Sequence, residues 1–339
     1  MHELVVNSSV IIYDKLSQNI YRYGIPSTCI FGLTGHIINL FLFTRPTLIY
    51  SSCCNYFLAS SCVALFQILF SQPIHFLQLG LGIDLTNIWW CRIRFYVAHS
   101  AYMTSSFLIT LASADRFASS CRQVKHRRWA NFTIARKLIP IVIIIACAVN
   151  IHILGMFTIN HEHRNECWAP HGNIYRFIFD IILVSHIIIY PILIGTFGLL
   201  TVYNIRRSHI QQQQQQQQQS LSFNCRVRDL QRMTLVQTLC IIVFTLPYAI
   251  LKLHRTIMTS NNNDVSDIYW AVERLITCFV DFGCYINDGA GFYIYSLSSI
   301  TFRRTLLQFI NEYRSILFRC YQYKKRIIYF SNPSITLII

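Results

Sequence analysis

Three acids fall inside long apolar stretches of this chain: Asp180, Asp281 and Asp288. A carboxylate is costly in hydrocarbon, so an acid at such a place is a functional candidate by default. The chemistry open to it is to hold a cation or to anchor a polar network. Asp180, near one end of its stretch, reads either as an interfacial residue or as part of a cavity. Asp281 reads as facing a cavity, and Asp288, mid-stretch, as part of an internal network. A fourth acid, Asp115, stands next to a base in the triplet Asp115-Arg116-Phe117. No nucleophile paired with a base and no cluster of metal-ligating residues occurs among the apolar stretches, so an enzyme is not expected. No cofactor is expected either.

The elements that must position these residues are membrane helices. The chain has 339 residues, 53% hydrophobic and 13% charged, against about 25% charged in soluble domains. A helix needs roughly 20 mostly apolar residues to cross a bilayer. Seven spans are predicted: Ile25–Phe43, about Asn55–Leu79, about Phe95–Ala114, Leu138–Asn160, about Phe177–Ile205, Met233–Leu251 and about Leu275–Phe302. The runs are continuously apolar and do not alternate, which argues against a β-barrel. The domain division is an extracellular N-terminus over 1–24, a bundle over 25–302 with a Gln-rich third inner loop over 206–226, and an amphipathic helix and cytoplasmic tail over 303–339. Gln211–Gln219 is nine unbroken Gln, read as a flexible linker.

The net charge of +15 does not imply nucleic acid, because the basic residues sit between the apolar runs and form no single stripe. They set orientation. With the N-terminus outside, the inner segments hold 20 of the 29 Lys and Arg and the outer segments 9. That bias predicts N-terminus out and C-terminus in, a multi-pass protein of the plasma membrane. The same topology sorts the 13 Cys. Only Cys91, at the start of span 3, and Cys167, in the loop after span 4, reach the outer face, where disulfides survive. A bridge between them would pin that loop across span 3. Asn7-Ser8-Ser9 is an outer-side glycosylation acceptor, whereas Asn131-Phe132-Thr133 matches the pattern but faces the cytosol. Cys320 follows a basic amphipathic stretch and is a candidate for palmitoylation.

These features together resemble a rhodopsin-like (class A) G-protein-coupled receptor. The residues that carry the resemblance are the seven spans, Cys91, Cys167 and Asp115-Arg116-Phe117 at the inner end of span 3. Pro191 in span 5 and Pro247 in span 6 stand at the places of the family's span prolines. Gly291-Phe292-Tyr293-Ile294-Tyr295 occupies the place of the Asn-Pro-x-x-Tyr motif, and Phe302-Arg303-Arg304 resembles the start of a short interfacial eighth helix over Thr301–Arg314. In character the chain looks most like invertebrate, FMRFamide-receptor-like peptide receptors.

The departures are specific. His36 replaces the usual Asn after Gly35. Leu58-Ala59-Ser60-Ser61-Cys62 ends the span-2 motif on Cys62 in place of Asp. Phe244-Thr245-Leu246-Pro247 puts Thr245 where an aromatic switch stands, and Val227 replaces the acid that locks span 6 in many relatives. Losing the span-2 Asp and the span-7 Asn removes two main polar ligands of the family's sodium site, with Asn287 and Asp288 one turn away. Tyr285 at the place of a retinal-binding Lys excludes an opsin, and Ala98 at the place of a span-3 Asp argues against monoamines.

What the resemblance implies is a receptor for an extracellular ligand that activates a heterotrimeric G protein. The expected pocket comprises His99, Tyr102, Met103, Asp180, Tyr248, Asp281 and Tyr285, which suits a small cationic peptide. Asp115, Arg116 and Phe117 would couple to the G protein, with Pro191, Pro247 and Tyr295 as switch positions, and basal signalling would be raised for want of the lock. The alternatives are a receptor-like protein that has lost coupling, or a membrane transporter, although no internal repeat is visible.

Overall fold

The computed structural model describes residues 2–83, 87–160, 166–170, 174–213, 220–260 and 266–331. Seven long helices form the bundle: α1 (His2–Phe43), α2 (Ser52–His75), α3 (Ile88–Ser120), α4 (Phe132–Asn150), α5 (Ile174–Gln213), α6 (Ser220–Ser260) and α7 (Asp267–Gly289). Two further helices follow, α8 (Gly291–Ser298) and α9 (Ile300–Ser331). The two ends of the bundle are the amino face, where α1 begins, and the carboxy face, where α9 lies. Large apolar side chains such as Ile144 on α4, Ile192 and Leu199 on α5 and Val243 on α6 point outward, as a lipid-facing surface requires.

The helix starts have local causes. Asn87, Asn131 and Ser266 each precede a helix in extended conformation and accept a hydrogen bond from a backbone N–H of its first turn: Trp89 at 2.8 Å, Thr133 at 3.0 Å and Tyr269 at 3.4 Å. Each satisfies one otherwise orphaned donor. Asn131, which matches a glycosylation pattern, is thus a helix cap. After Pro73, α2 widens into one π-helical turn over Phe76–Gly80, with Gly82 at φ 68° beyond it. Only a residue without Cβ adopts that φ at no steric cost.

Helices α1 and α7 approach closely enough that their backbones touch. A Cβ on Gly289 would stand 2.9 Å from the Cα of Gly32. Small residues at such crossings let membrane helices pack by van der Waals contact. The carboxy-face core is aromatic: Phe43, Phe57, Tyr295 and Phe302 meet in stacked, edge and tilted pairs with centroids 5.0–5.9 Å apart.

Several predicted boundaries are corrected. Span 4 was expected to reach Asn160, but α4 ends at Asn150, and Thr158–Asn160 is a strand, β1, paired antiparallel with β2 (Glu166–Trp168). The seventh span was expected to run unbroken to Phe302. It stops at Gly289, restarts at Gly291, and breaks again at Ser299. Residues 2–24 are helical and continuous with the first span in α1. The tail helix is not short, since α9 has 32 residues. Of the Gln run, 214–219 lie outside the described residues, as do Asn261–Asp264.

Candidate functional site

The triplet Asp115-Arg116-Phe117 lies near the carboxy-face end of α3. Arg116 Nη2 donates to Asp115 Oδ2 at 2.5 Å, and both residues are buried. Arg116 Nε has no hydrogen-bond partner among the described residues. A buried ion pair is held when its charges satisfy each other, and a change of partner at one end is then energetically large. Phe117 packs against Phe197 of α5, with centroids 5.9 Å apart. Asn204 of α5 donates to Ser120 Oγ at 3.1 Å, and Ser113 Oγ donates to the Ile194 carbonyl at 3.2 Å. The triplet is therefore set in register with α5.

Pro191 and Pro247 sit inside α5 and α6. Each lacks a backbone N–H and leaves the carbonyl four residues earlier without its helical donor. Beside Pro247, Cys284 Sγ of α7 donates to the Phe244 carbonyl at 3.6 Å, and Thr245 Oγ1 donates back to Ile241. Phe244, next to the position of the missing aromatic, lies against Gly283 of α7. Tyr295, 2% exposed, donates its hydroxyl to Gln237 Oε1 at 2.9 Å and so joins α8 to α6.

Between the two faces lies a small cavity of about 40 Å³ lined in part by Ser60, Ser105, Gln67, Asn287 and Asp288. Gln67 Nε2 donates to Asp288 Oδ2 at 3.1 Å, and the Ser60 and Ser105 hydroxyls are 2.8 Å apart. Asn287 Oδ1 and His36 Nδ1 are buried without a partner among the described residues. The sequence motif set Cys62 at the place of the inward acid, yet Cys62 is exposed on the outside of α2 and Ser61 turns inward to meet Asn39. The cavity's single carboxylate comes from α7. The polar network thus keeps a carboxylate, Asp288, on a different helix from the one the span-2 motif names.

At the amino face, a disulfide joins Cys91 to Cys167, Cα atoms 5.7 Å apart, and lays the β1–β2 hairpin across the start of α3. Arg92 Nε donates to the Phe157 carbonyl at 2.9 Å and holds the same loop. His99 sits in an aromatic nest, within electrostatic reach of Lys252. Its ring packs on Phe95, Phe157 and Phe179, and Nδ1 meets the Phe95 carbonyl. Met103 lies apart, buried and accepting from Asn150 of α4 at 3.4 Å.

Five candidates do converge. Tyr102 and Tyr248 pack with Leu183, Ile187 and Ala249, Tyr248, Asp281 and Tyr285 lie within electrostatic reach of one another, and Asp180 lies within reach of Tyr248. Asp281 accepts from the Tyr21 hydroxyl of α1 at 2.9 Å. The Tyr285 hydroxyl is hydrogen-bonded to His75 Nδ1, and Asp180, 1% exposed, accepts from Thr256 of α6. Lys252 stands over the Tyr248 ring, 5.3 Å from its centroid.

Tyr21, His75 and Arg94 belong to this cluster and were not expected there, and buried Gln72 shares a face of α2 with His75. Gln72 and His75 are polar residues three apart in an apolar span, a spacing that puts both on one helix face. Arg94 lies one turn past Cys91 and counted only as a loop charge. No signal in the sequence identifies Tyr21. The side chains of Asn7, Cys320 and Val227 lie outside the described residues. Among the described residues no three His, Cys, Asp or Glu side chains gather as a metal site.

A family model described as the seven-transmembrane receptor of the rhodopsin family matches residues 37–287, about three quarters of the chain. No curated protein matches the chain.

Proposed function

The chain belongs to the rhodopsin family of seven-transmembrane receptors, and from that premise we propose that it binds a small peptide at the amino face and activates a heterotrimeric G protein at the carboxy face. Members of this family are signalling receptors of the membrane and not enzymes. The observation that carries the coupling half is the buried Asp115–Arg116 pair at the carboxy-face end of α3. In this reading the pair, in contact at 2.5 Å, is one of two states, and in the other Arg116 turns toward a partner helix.

The N-terminus is extracellular in this reading. The Lys and Arg bias of 20 to 9 supports it, and so does a disulfide at the amino face, the compartment where such bonds persist. Ligand preference for the active arrangement shifts the population, and only a difference in affinity between the two arrangements can do so. The carboxy-face half of α6 then swings outward about Pro247. That movement parts Gln237 from Tyr295 and opens a crevice beside Arg116. The basic loop from Arg122 to Arg128 lies at this face, where anionic lipid and the G protein are both within reach.

For the ligand, Asp281 is the side chain that favours a basic group, with Tyr102, Tyr248 and Tyr285 supplying aromatic walls. The cation would take the place that the Tyr21 hydroxyl holds on Asp281. The test is a peptide screen on cells that carry the receptor and a promiscuous G-protein reporter. Basic aromatic peptides should elicit a response that Arg116→Ala abolishes at equal surface expression. Asp281→Asn should weaken their binding by about tenfold or more, the loss of one desolvated charge pair. A response untouched by Arg116→Ala removes the coupling assignment, and unchanged binding in Asp281→Asn removes the basic ligand.

A further inference from the structure

The amino half of the bundle holds polar groups that the pocket described above leaves unused. Arg94 is 6% exposed, and its Nη1 has no hydrogen-bond partner among the described residues. The guanidinium lies over the Phe95 ring at 4.5 Å. It is within electrostatic reach of Asp281, Tyr248 and Tyr285 but forms no ion pair with Asp281, which is engaged by Tyr21 instead. Across on α2, Gln72 is 2% exposed, and among the described residues neither of its amide atoms is partnered, nor is the Ser71 hydroxyl. His75, on the same face of α2 as Gln72, lies within electrostatic reach of Arg94 and bonds to Tyr285.

Buried polar groups are hydrogen-bonded in the great majority of cases, and each exception calls for an explanation. An unpaired buried guanidinium is the most costly kind. We infer that Arg94, with Gln72 beside His75 on the facing helix, is the anchor for a carboxylate of the ligand. The planar guanidinium fork matches a carboxylate in two parallel hydrogen bonds, and the Gln72 amide adds a further donor. Phosphate would match the fork too, but its second negative charge would face Asp281, and like charges at that range discriminate against it. The inference deepens the pocket reading and rests on it: the ligand carries a basic group for Asp281 and, near it, a free carboxylate.

The dipeptide Arg-Phe, as free acid and as amide, separates the possibilities. Thermal unfolding of the purified full-length receptor is followed in detergent with each form at about 10 mM, where preferential binding to the folded state raises the midpoint. The free acid should raise it by about 2 °C or more, and the amide by clearly less. Arg94→Met should abolish the difference between the two forms. It should itself melt at or above the wild-type temperature, because it removes a charge with no internal ion pair. Arg94→Lys should keep part of the difference. Equal shifts for acid and amide overturn the carboxylate and leave the pocket standing. No shift with either form takes the pocket reading down as well. An Arg94→Met protein that melts well below wild type, or that keeps the full difference, also overturns the inference: the first shows a structural role for Arg94, the second a different anchor.

Discussion

Arg116 and Asp115 hold each other at 2.5 Å inside the carboxy face, and no other acid is paired with Arg116 among the described residues. If that contact is what keeps the receptor quiet, weakening it should release activity without ligand. Asp115→Asn should raise basal second messenger above the wild type by about twofold or more, since a few tenths of a kcal/mol already shifts a two-state population by that factor. It should also lower stability, because Arg116 loses its charge partner, so the reporter must be read at matched surface expression. A basal level equal to wild type would show that the pair does not govern the switch. Residues of this kind were legible in the sequence, because a charge pair at the end of an apolar span has few readings. Cys62 was not. The motif places letters in order, but whether Ser61 or Cys62 faces the bundle depends on rotation of α2, and here Ser61 is buried and Cys62 exposed. Arg94 shows the same limit. Its charge is plain in the sequence, but its burial is set by the helices that close over it.

Helices α1 and α7 meet along a seam that runs through the amino half of the bundle. Asp14 and Arg274 are 2.8 Å apart, Cys278 Sγ donates to the Ser17 carbonyl at 3.6 Å, and Tyr21 reaches Asp281. The spacing on both helices follows one face of a 3.6-residue turn. Deeper in, Gly32 and Gly289 remove side chains so that the backbones touch. Gly289→Ala should force the helices apart and cost about 1–3 kcal/mol, as overpacking in a close-packed core does, with a fall of several degrees in the melting midpoint. Gly155→Ala meets nothing within 4 Å and should leave the midpoint unchanged. Equal effects at the two sites would deny the seam its role. The existence of the seven helices was readable from apolar runs, but their ends were not. Span 7 reads as continuous because Ala290 and Ser299 are ordinary residues. The breaks come from packing at Gly289 and from the turn into α9. The β1–β2 hairpin was hidden because Thr158–Asn160 extends an apolar run.

At the scale of the molecule, five described helices are long and apolar enough to cross a membrane by composition alone. Helices α3 and α7 are not among them: α3 is rich in Ser and Thr and buries Arg94, Asp115 and Arg116, and α7 carries Glu273, Arg274 and Asp281. The helices that do the work of a receptor are thus the least membrane-like, and they are enclosed by the apolar ones. Everything proposed about ligand and G protein depends on which way this bundle runs. The Lys and Arg bias and the disulfide both favour an extracellular amino face. An epitope tag before residue 2 should be stained on intact cells, and a tag after residue 339 only once the membrane is permeabilised. Treating intact cells with a membrane-impermeant reductant should open the Cys91–Cys167 bridge and free the hairpin from α3, lowering the response to peptide while leaving the receptor at the surface. Staining of the C-terminal tag on intact cells would put Arg116 outside the cell, where no G protein can meet it, and the coupling assignment would fall with the orientation.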